Sequence, residues 1–207
     1  MGPFDQPPVP HFRVSPLGVV PKKTEGKFRL IHRLSFLEGY SVNDAMPSEL
    51  CSVHYTSFDT AVHMVKVCGF GAEMVKADIK SAFCLLSVHS SNCDLLRFFF
   101  EGTYYIDRAL PMGCSISCAA FEHFSSFLEW NLRLRVGMIS AAHYLDYFCM
   151  WEKRVRRVFI ALEGLSGHGQ GFRTAIGRGK DRRVIIHSDF PENRIGHRST
   201  SMLPPID

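Results

Sequence analysis

Residues 143–148 read His-Tyr-Leu-Asp-Tyr-Phe, and the reading of this run decides the fold. Met138–Leu145 on one side and Phe148–Trp151 on the other are apolar, so the spacing predicts two short strands turning about Asp146 and Tyr147. An acid in such a turn reads first as a cap. Set among apolar strands, it is also costly to bury unless a cation meets it. A second acid stands in the same setting. Asp78 closes the β-like run Ala72–Ile79, and Lys-Ser-Ala-Phe follows at 80–83. Two carboxylates ending adjacent strands can hold Mg²⁺, a hard cation that prefers oxygen ligands. A pair of such ions clamps the attacking and leaving oxygens of phosphoryl transfer. Taken alone, each acid still favours the cap.

Working outward, the chain alternates strand pairs and helices. Residues 15–21 (SPLGVVP) and 27–32 (KFRLIH) predict a hairpin turning at Gly26. Lys22, Lys23, Lys27 and Arg29 make it basic, with Arg29 set between apolar Phe28 and Leu30 and so turned away from a core side. Such cations can grip a triphosphate, Arg through its fork, and on an isolated hairpin they read as a solvated face. Residues 34–55 read as loop. From Ser57, the positions Phe58, Ala61, Val62, Val65 and Cys68 recur at helical spacing up to Gly69. Residues 95–100 and 103–110 flank Glu101-Gly102 as a second hairpin. Leu110-Pro111-Met112-Gly113 leads into the clearest helix, 116–134. Its stripe is Ile116, Ala119, Ala120, Phe124, Phe127, Leu128 and Leu132. Val155, Val158, Phe159 and Leu162 suit one more short helix. The mixture, with short turns implying antiparallel neighbours, predicts an α+β fold.

Composition bounds the rest. The 207 residues are 46% hydrophobic and 21% charged, enough for a single core. The longest uncharged apolar stretch, from Ala109 to Phe121, is too short to cross a bilayer, so no membrane partner is expected. Proline and an acid in the first ten residues do not make a signal peptide. Seven cysteines without paired spacing fit a reducing, intracellular compartment, cytoplasm or nucleus. Charge is uneven. Residues 152–207 hold 11 basic and 6 acidic side chains, a net +5, which leaves −1 for residues 1–151. A basic segment can point to a nucleic-acid partner.

The order of these features carries more than any one of them. A basic hairpin, then ADIKSAF (77–83), then ALPMGCS (109–115) before a helix, then HYLDYF resembles the fingers and palm of a retroelement reverse transcriptase. The phrases SPLGVVPKK, GKFRLIHRLS, YSVND, LPMGCSISCAAFEHFSSFLEW and YLDYF resemble the DIRS-like retrotransposon branch most. The resemblance spans about residues 13–151. It implies a right-hand polymerase fragment with a small antiparallel palm sheet backed by helices, the thumb absent. It implies three segments: an extended proline-rich lead (1–13), the fingers and palm (14–151), and a degenerate, poorly ordered basic tail (152–207). The implied activity is RNA-directed DNA polymerase, with an RNA or DNA template–primer and dNTP as partners, two Mg²⁺ ions, and further domains of a pol polyprotein in the parent element. Residue by residue, Lys22 and Arg29 match contacts to the nucleotide phosphates. Asp78 and Asp146 match metal-binding, catalytic acids. Phe83 matches the aromatic beneath the sugar, and Met112 and Gly113 match the turn beside nucleotide and template.

One departure bears on activity. The family's hairpin reads Tyr-X-Asp-Asp, whereas this chain has Tyr144-Leu145-Asp146-Tyr147. Tyr147 brings bulk and no carboxylate, so weakened metal binding and impaired or absent polymerisation are expected, with an inactive nucleic-acid-binding relic as the alternative. Past residue 151 the family pattern stops, and a Gly-, Arg-, Ser- and His-rich stretch without hydrophobic period follows. It reads as a frameshifted or decayed segment that should not enter the sheet, and RVIIH (183–187) is its one β-like run.

Overall fold

In the computed structural model, the residues described are 1–10, 13–23, 25–70, 73–79, 81–137, 140–152, 173–176 and 183–187. Strands β1 (Leu17–Pro21) and β2 (Phe28–His32) form the first hairpin, with Val20 opposite Arg29 and Lys22 just past the paired ends. Two 3-10 turns, Asn43–Ala45 and Ser48–Leu50, shape the loop that follows. Helix α1 (Phe58–Cys68) starts at Ser57, whose side chain accepts from the Thr60 N–H as an N-cap does, and it stops at Gly69 with φ 73°. Strand β3 (Glu73–Ile79) then leads into a 3-10 turn, Ala82–Leu85. A further 3-10 segment, Ser90–Leu95, precedes the hairpin of β4 (Arg97–Phe100) and β5 (Thr103–Ile106). Phe4 exchanges both backbone hydrogen bonds with Tyr104 on the edge of β5. Helix α2 (Ser117–Val136) is followed by β6 (Ala141–Tyr144), β7 (Tyr147–Glu152), β8 (Arg173–Ile176) and β9 (Arg183–His187).

The central sheet runs β6-β7-β3-β9-β8. On β3, Val75, Ala77 and Ile79 are buried, while Met74 and Asp78 are exposed. This is the alternation of a sheet covered on one face. The cover is α2, whose Phe121, Leu128 and Leu132 meet Val75, Ala77, Ile79, Phe148 and Met150 in the main core. A smaller cluster of Leu34, Val42, Leu96 and Cys114 joins the 34–46 loop to β4 and the start of α2.

The α+β expectation agrees with this architecture, and four details differ. The tail was expected to stay out of the sheet, yet β9 pairs with β3 in parallel, Asp78 opposite Ile185, and β8 pairs with β9. Three apolar residues, Val184 to Ile186, carry no period long enough to read, but an open strand edge accepts them. That pairing also makes the sheet mixed rather than wholly antiparallel. The buried residues of α2 are Ser117, Ala119, Phe121, Ser125, Leu128 and Leu132, so Ala119, Leu128 and Leu132 of the expected stripe are buried while Phe127 is exposed. A helix aromatic on several sides offers more than one apolar stripe, and packing selects among them. Finally, Phe28 and Leu30 meet no core and are exposed, as are Phe58 and Val65 of α1. The short helix expected from Val155 to Leu162 lies outside the described residues.

Candidate active site

Asp78 and Asp146 lie 68 positions apart in sequence and meet where β3 ends beside the β6–β7 turn. β3 and β7 run antiparallel with Asp78 opposite Tyr147, and the Ile79 N–H donates to the Asp146 carbonyl at 3.0 Å. Directly opposed residues of such a pair show their side chains on one face, so Tyr147 and Asp78 project from the same side of the sheet. Asp146 occupies the two-residue turn between Tyr144 and Tyr147, with Leu145 at φ 52°. That left-handed residue is held by a 2.6 Å hydrogen bond from the Ser125 hydroxyl of α2 to the Leu145 carbonyl.

Burial raises the Asp146 pKa above the ordinary carboxylate value, and the neighbouring Asp78 charge adds to the rise. The guanidinium of Arg29, on the first hairpin, acts in the opposite sense. A carboxylate whose ionisation is opposed by a neighbouring carboxylate is relieved by a divalent cation, and the oxygens of the pair suit a hard ion. The fit is for two carboxylates only. Among the described residues no three His, Cys, Asp or Glu side chains stand together as a metal-ligating group.

Of the other sequence-derived residues, Arg29 is within electrostatic reach of Asp146, and exposed Lys22 sits at the hairpin turn, its N–H on the Lys27 carbonyl at 2.8 Å. Phe83, in the turn after Asp78, is half-buried and sets its ring edge-on to Phe121 at 5.3 Å, so a packing duty accounts for it as well. Met112 and Gly113 form the seat of the first hairpin. The Met112 carbonyl accepts from the His32 N–H at 2.8 Å, and a Cβ on Gly113, at φ 110°, would lie 2.0 Å from the His32 carbonyl oxygen. Only glycine permits that approach.

Asn43 was quoted in the sequence within YSVND without a role. Its amide donates to the Gly113 carbonyl (2.8 Å) and Ser35 hydroxyl (2.7 Å), and its oxygen accepts from the Ser115 N–H (2.9 Å). It therefore pins the 113–115 turn to the 34–46 loop. His32 is buried with its Nε2 3.2 Å from the Arg97 carbonyl, and burial holds its pKa below the ordinary histidine value. Neither residue carries a local signal of these long-range bonds.

No family model matches the chain, and no curated protein matches its sequence. Solved structures do. A foamy viral protease-reverse transcriptase in complex with double-stranded DNA superposes with a TM-score of 0.53 at 18% identity, over 73% of this chain and 25% of that one. A prototype foamy virus protease-reverse transcriptase mutant gives 0.53 at 17%, over 73% and 18%. A second foamy viral complex with DNA gives 0.51 at 19%, over 73% and 28%. The chain thus has the mixed helix-and-sheet fold of the reverse transcriptase fingers and palm, and it spans about a quarter or less of most of these neighbours' length. No helix among the described residues is long and apolar enough to cross a membrane.

Proposed function

We propose that the chain is the fingers-and-palm part of an RNA-directed DNA polymerase from a retrotransposon pol polyprotein, DIRS-like by its phrasing, with nucleotidyl transfer impaired at Tyr147. The observation that carries this reading is the meeting of Asp78 and Asp146 at one end of the central strands, with Arg29 of the basic hairpin within electrostatic reach. In this reading Asp78 and Asp146 hold Mg²⁺, which would stabilise charge on the transferring phosphoryl group. Lys22 and Arg29 orient the triphosphate of a dNTP, Phe83 lies under its sugar, and the Met112-Gly113 turn borders nucleotide and template. Template–primer, dNTP and an intracellular setting belong to the same proposal, as does the division into a lead of 1–13, a domain of 14–151 and a basic segment of 152–207.

Tyr147 occupies the position opposite Asp78 where the family's further acid would stand. A missing negative charge beside a divalent ion costs on the order of 2 kcal/mol of binding, the worth of a charged hydrogen bond. Primer extension on an RNA template with Mg²⁺ tests the reading. The native chain should extend weakly or not at all, and Tyr147→Asp should extend more. Robust extension by the native chain would show that the hairpin acid is dispensable. The same substitution favours a second reading, an inactive nucleic-acid-binding relic. That relic binds template–primer with a steep salt dependence and no response to Mg²⁺, and Tyr147→Asp does not rescue it.

A further inference from the structure

Behind the Asp146 hairpin, on the side away from Asp78, lies a group of charges that the proposed function does not use. His143 of β6 is buried, and both its ring nitrogens face carboxylates of α2: Nδ1 to Glu129 at 2.5 Å and Nε2 to Glu122 at 2.9 Å. Glu129 also takes Arg133, Nε at 2.9 Å, and Arg133 returns to the strand by donating to the Ala141 carbonyl at 2.7 Å. A neutral imidazole has one N–H and one lone pair. It can donate to one of these carboxylates, and toward the other it presents a lone pair against an anion. Both contacts are hydrogen bonds only in the imidazolium form.

We propose that protonated His143 is a clasp fastening the Asp146 hairpin to α2, so that the position of Asp146 depends on a proton carried three residues away. The clasp belongs to the fold. Its consequence for a metal rests on the proposed function of Asp146.

The charge count supports the proposal. Glu122, Glu129, Arg133 and imidazolium sum to zero, whereas loss of the proton leaves one uncompensated negative charge in a half-buried group. Burial by itself would lower the His143 pKa, and Glu129 and Glu122 outweigh it and carry the value above the ordinary one. Glu129 is held below the usual carboxylate range, its burial offset by His143 and Arg133. Among the described residues, no charge from any element but α2 acts on His143. From β7 the neighbour is Phe148, stacked on the imidazole at 5.5 Å. From the 51–57 loop Tyr55 approaches Glu122, Cys118 and Tyr144, its own pKa raised by burial and then by those groups. Tyr55, held above the ordinary phenol value, stays neutral through the range where His143 titrates.

The test uses the full chain. The His143 ring protons are followed by NMR from pH 5 to 9, and amide exchange across Ala141–Met150 is measured at the same pH values and corrected for intrinsic rates. Expected are a midpoint above the ordinary histidine value and protection of β6 that falls about tenfold as the proton leaves. Glu122→Gln, which keeps the shape and one carboxylate, should bring the midpoint back toward the ordinary value. His143→Gln should flatten the pH profile. A midpoint at or below the ordinary value, or β6 protection with the same pH dependence in His143→Gln, overturns the clasp. Mg²⁺ is then added to the native chain and to Glu122→Gln at pH 6.5 and 8.5, reading the rise in Tm. A rise that is larger at pH 6.5, with the difference reduced in Glu122→Gln, supports the coupling, and an equal rise at both pH values overturns it. No rise at either pH removes the metal reading of Asp78 and Asp146, while the titration alone still decides the clasp.

Discussion

Two hairpins of similar local sequence meet opposite fates in this molecule. β1–β2 and β6–β7 are both short antiparallel pairs with apolar and β-branched or aromatic residues. In the first, Phe28 is 63% exposed, and Val19 and Leu30 lie open as well. In the second, Phe148 and Met150 are at or below 2%. The difference lies in neighbours. β7 has β3 on its free edge and α2 over its face, with Ser125, Glu122, Glu129 and Arg133 all bonded to β6 or its turn. β1–β2 is fixed at its base, where His32 and Arg33 bond to Met112 and Pro16 and Gly113 lets the backbones close. One hairpin is embedded as a platform for Asp146. The other is presented, and its Arg29 lies within electrostatic reach of the platform.

The largest expected effect breaks the embedded member. Phe148→Ala should cost about 4 kcal/mol in urea unfolding, the size of a truncated core aromatic. A loss below about 1.5 kcal/mol would show that the main core does not rest on it. Gly113→Ala strikes the seat of the presented hairpin. The 2.0 Å approach and the positive φ should cost about 3 kcal/mol, read by thermal melting. A neutral outcome would mean that the hairpin base is free to shift.

Asp146→Asn should stabilise. Its pKa in the folded chain is above the unfolded value of 3.8, so the folded state binds that proton more tightly. The resulting stability is complete below pH 3.8 and is lost as pH rises through the folded pKa. At pH 7 the ionised group is a liability, and removing it should gain on the order of 1 kcal/mol, with any Mg²⁺-induced rise in Tm abolished. If the variant melts lower at pH 7, the carboxylate is a structural anchor. Smallest is Phe28→Ala, expected within about 0.5 kcal/mol of the native chain because the ring meets no core. A loss comparable to that of Phe148→Ala would erase the contrast between the hairpins.

Hydrogen exchange sharpens the same comparison at the far edge of the sheet. Arg183–Ile186 should be protected to a degree comparable with Lys76–Ile79, to which it is paired. If it exchanges freely while β3 is protected, the basic segment stands apart from the domain as the charge jump at residue 152 suggested.

The sequence by itself determined the elements that depend on local chemistry. The turn at Gly26, the helical spacing and Gly69 stop of α1, the strand ending at Asp78 and the turn at Asp146 each follow from a few adjacent residues whose backbone preferences agree. It also determined which two acids stand at strand ends, since an acid interrupting an apolar run is visible without coordinates. The tertiary structure alone decided which side of α2 is buried, because an aromatic-rich helix presents several comparable faces and only the sheet beneath it chooses. It alone recruited β9 to β3, because strand pairing rewards an open edge wherever in the chain the partner lies. It alone assembled Asn43 with Gly113 and His143 with Glu122 and Glu129. Those bonds span from 14 to 70 positions, and a polar side chain carries no local mark of the distant group that will satisfy it.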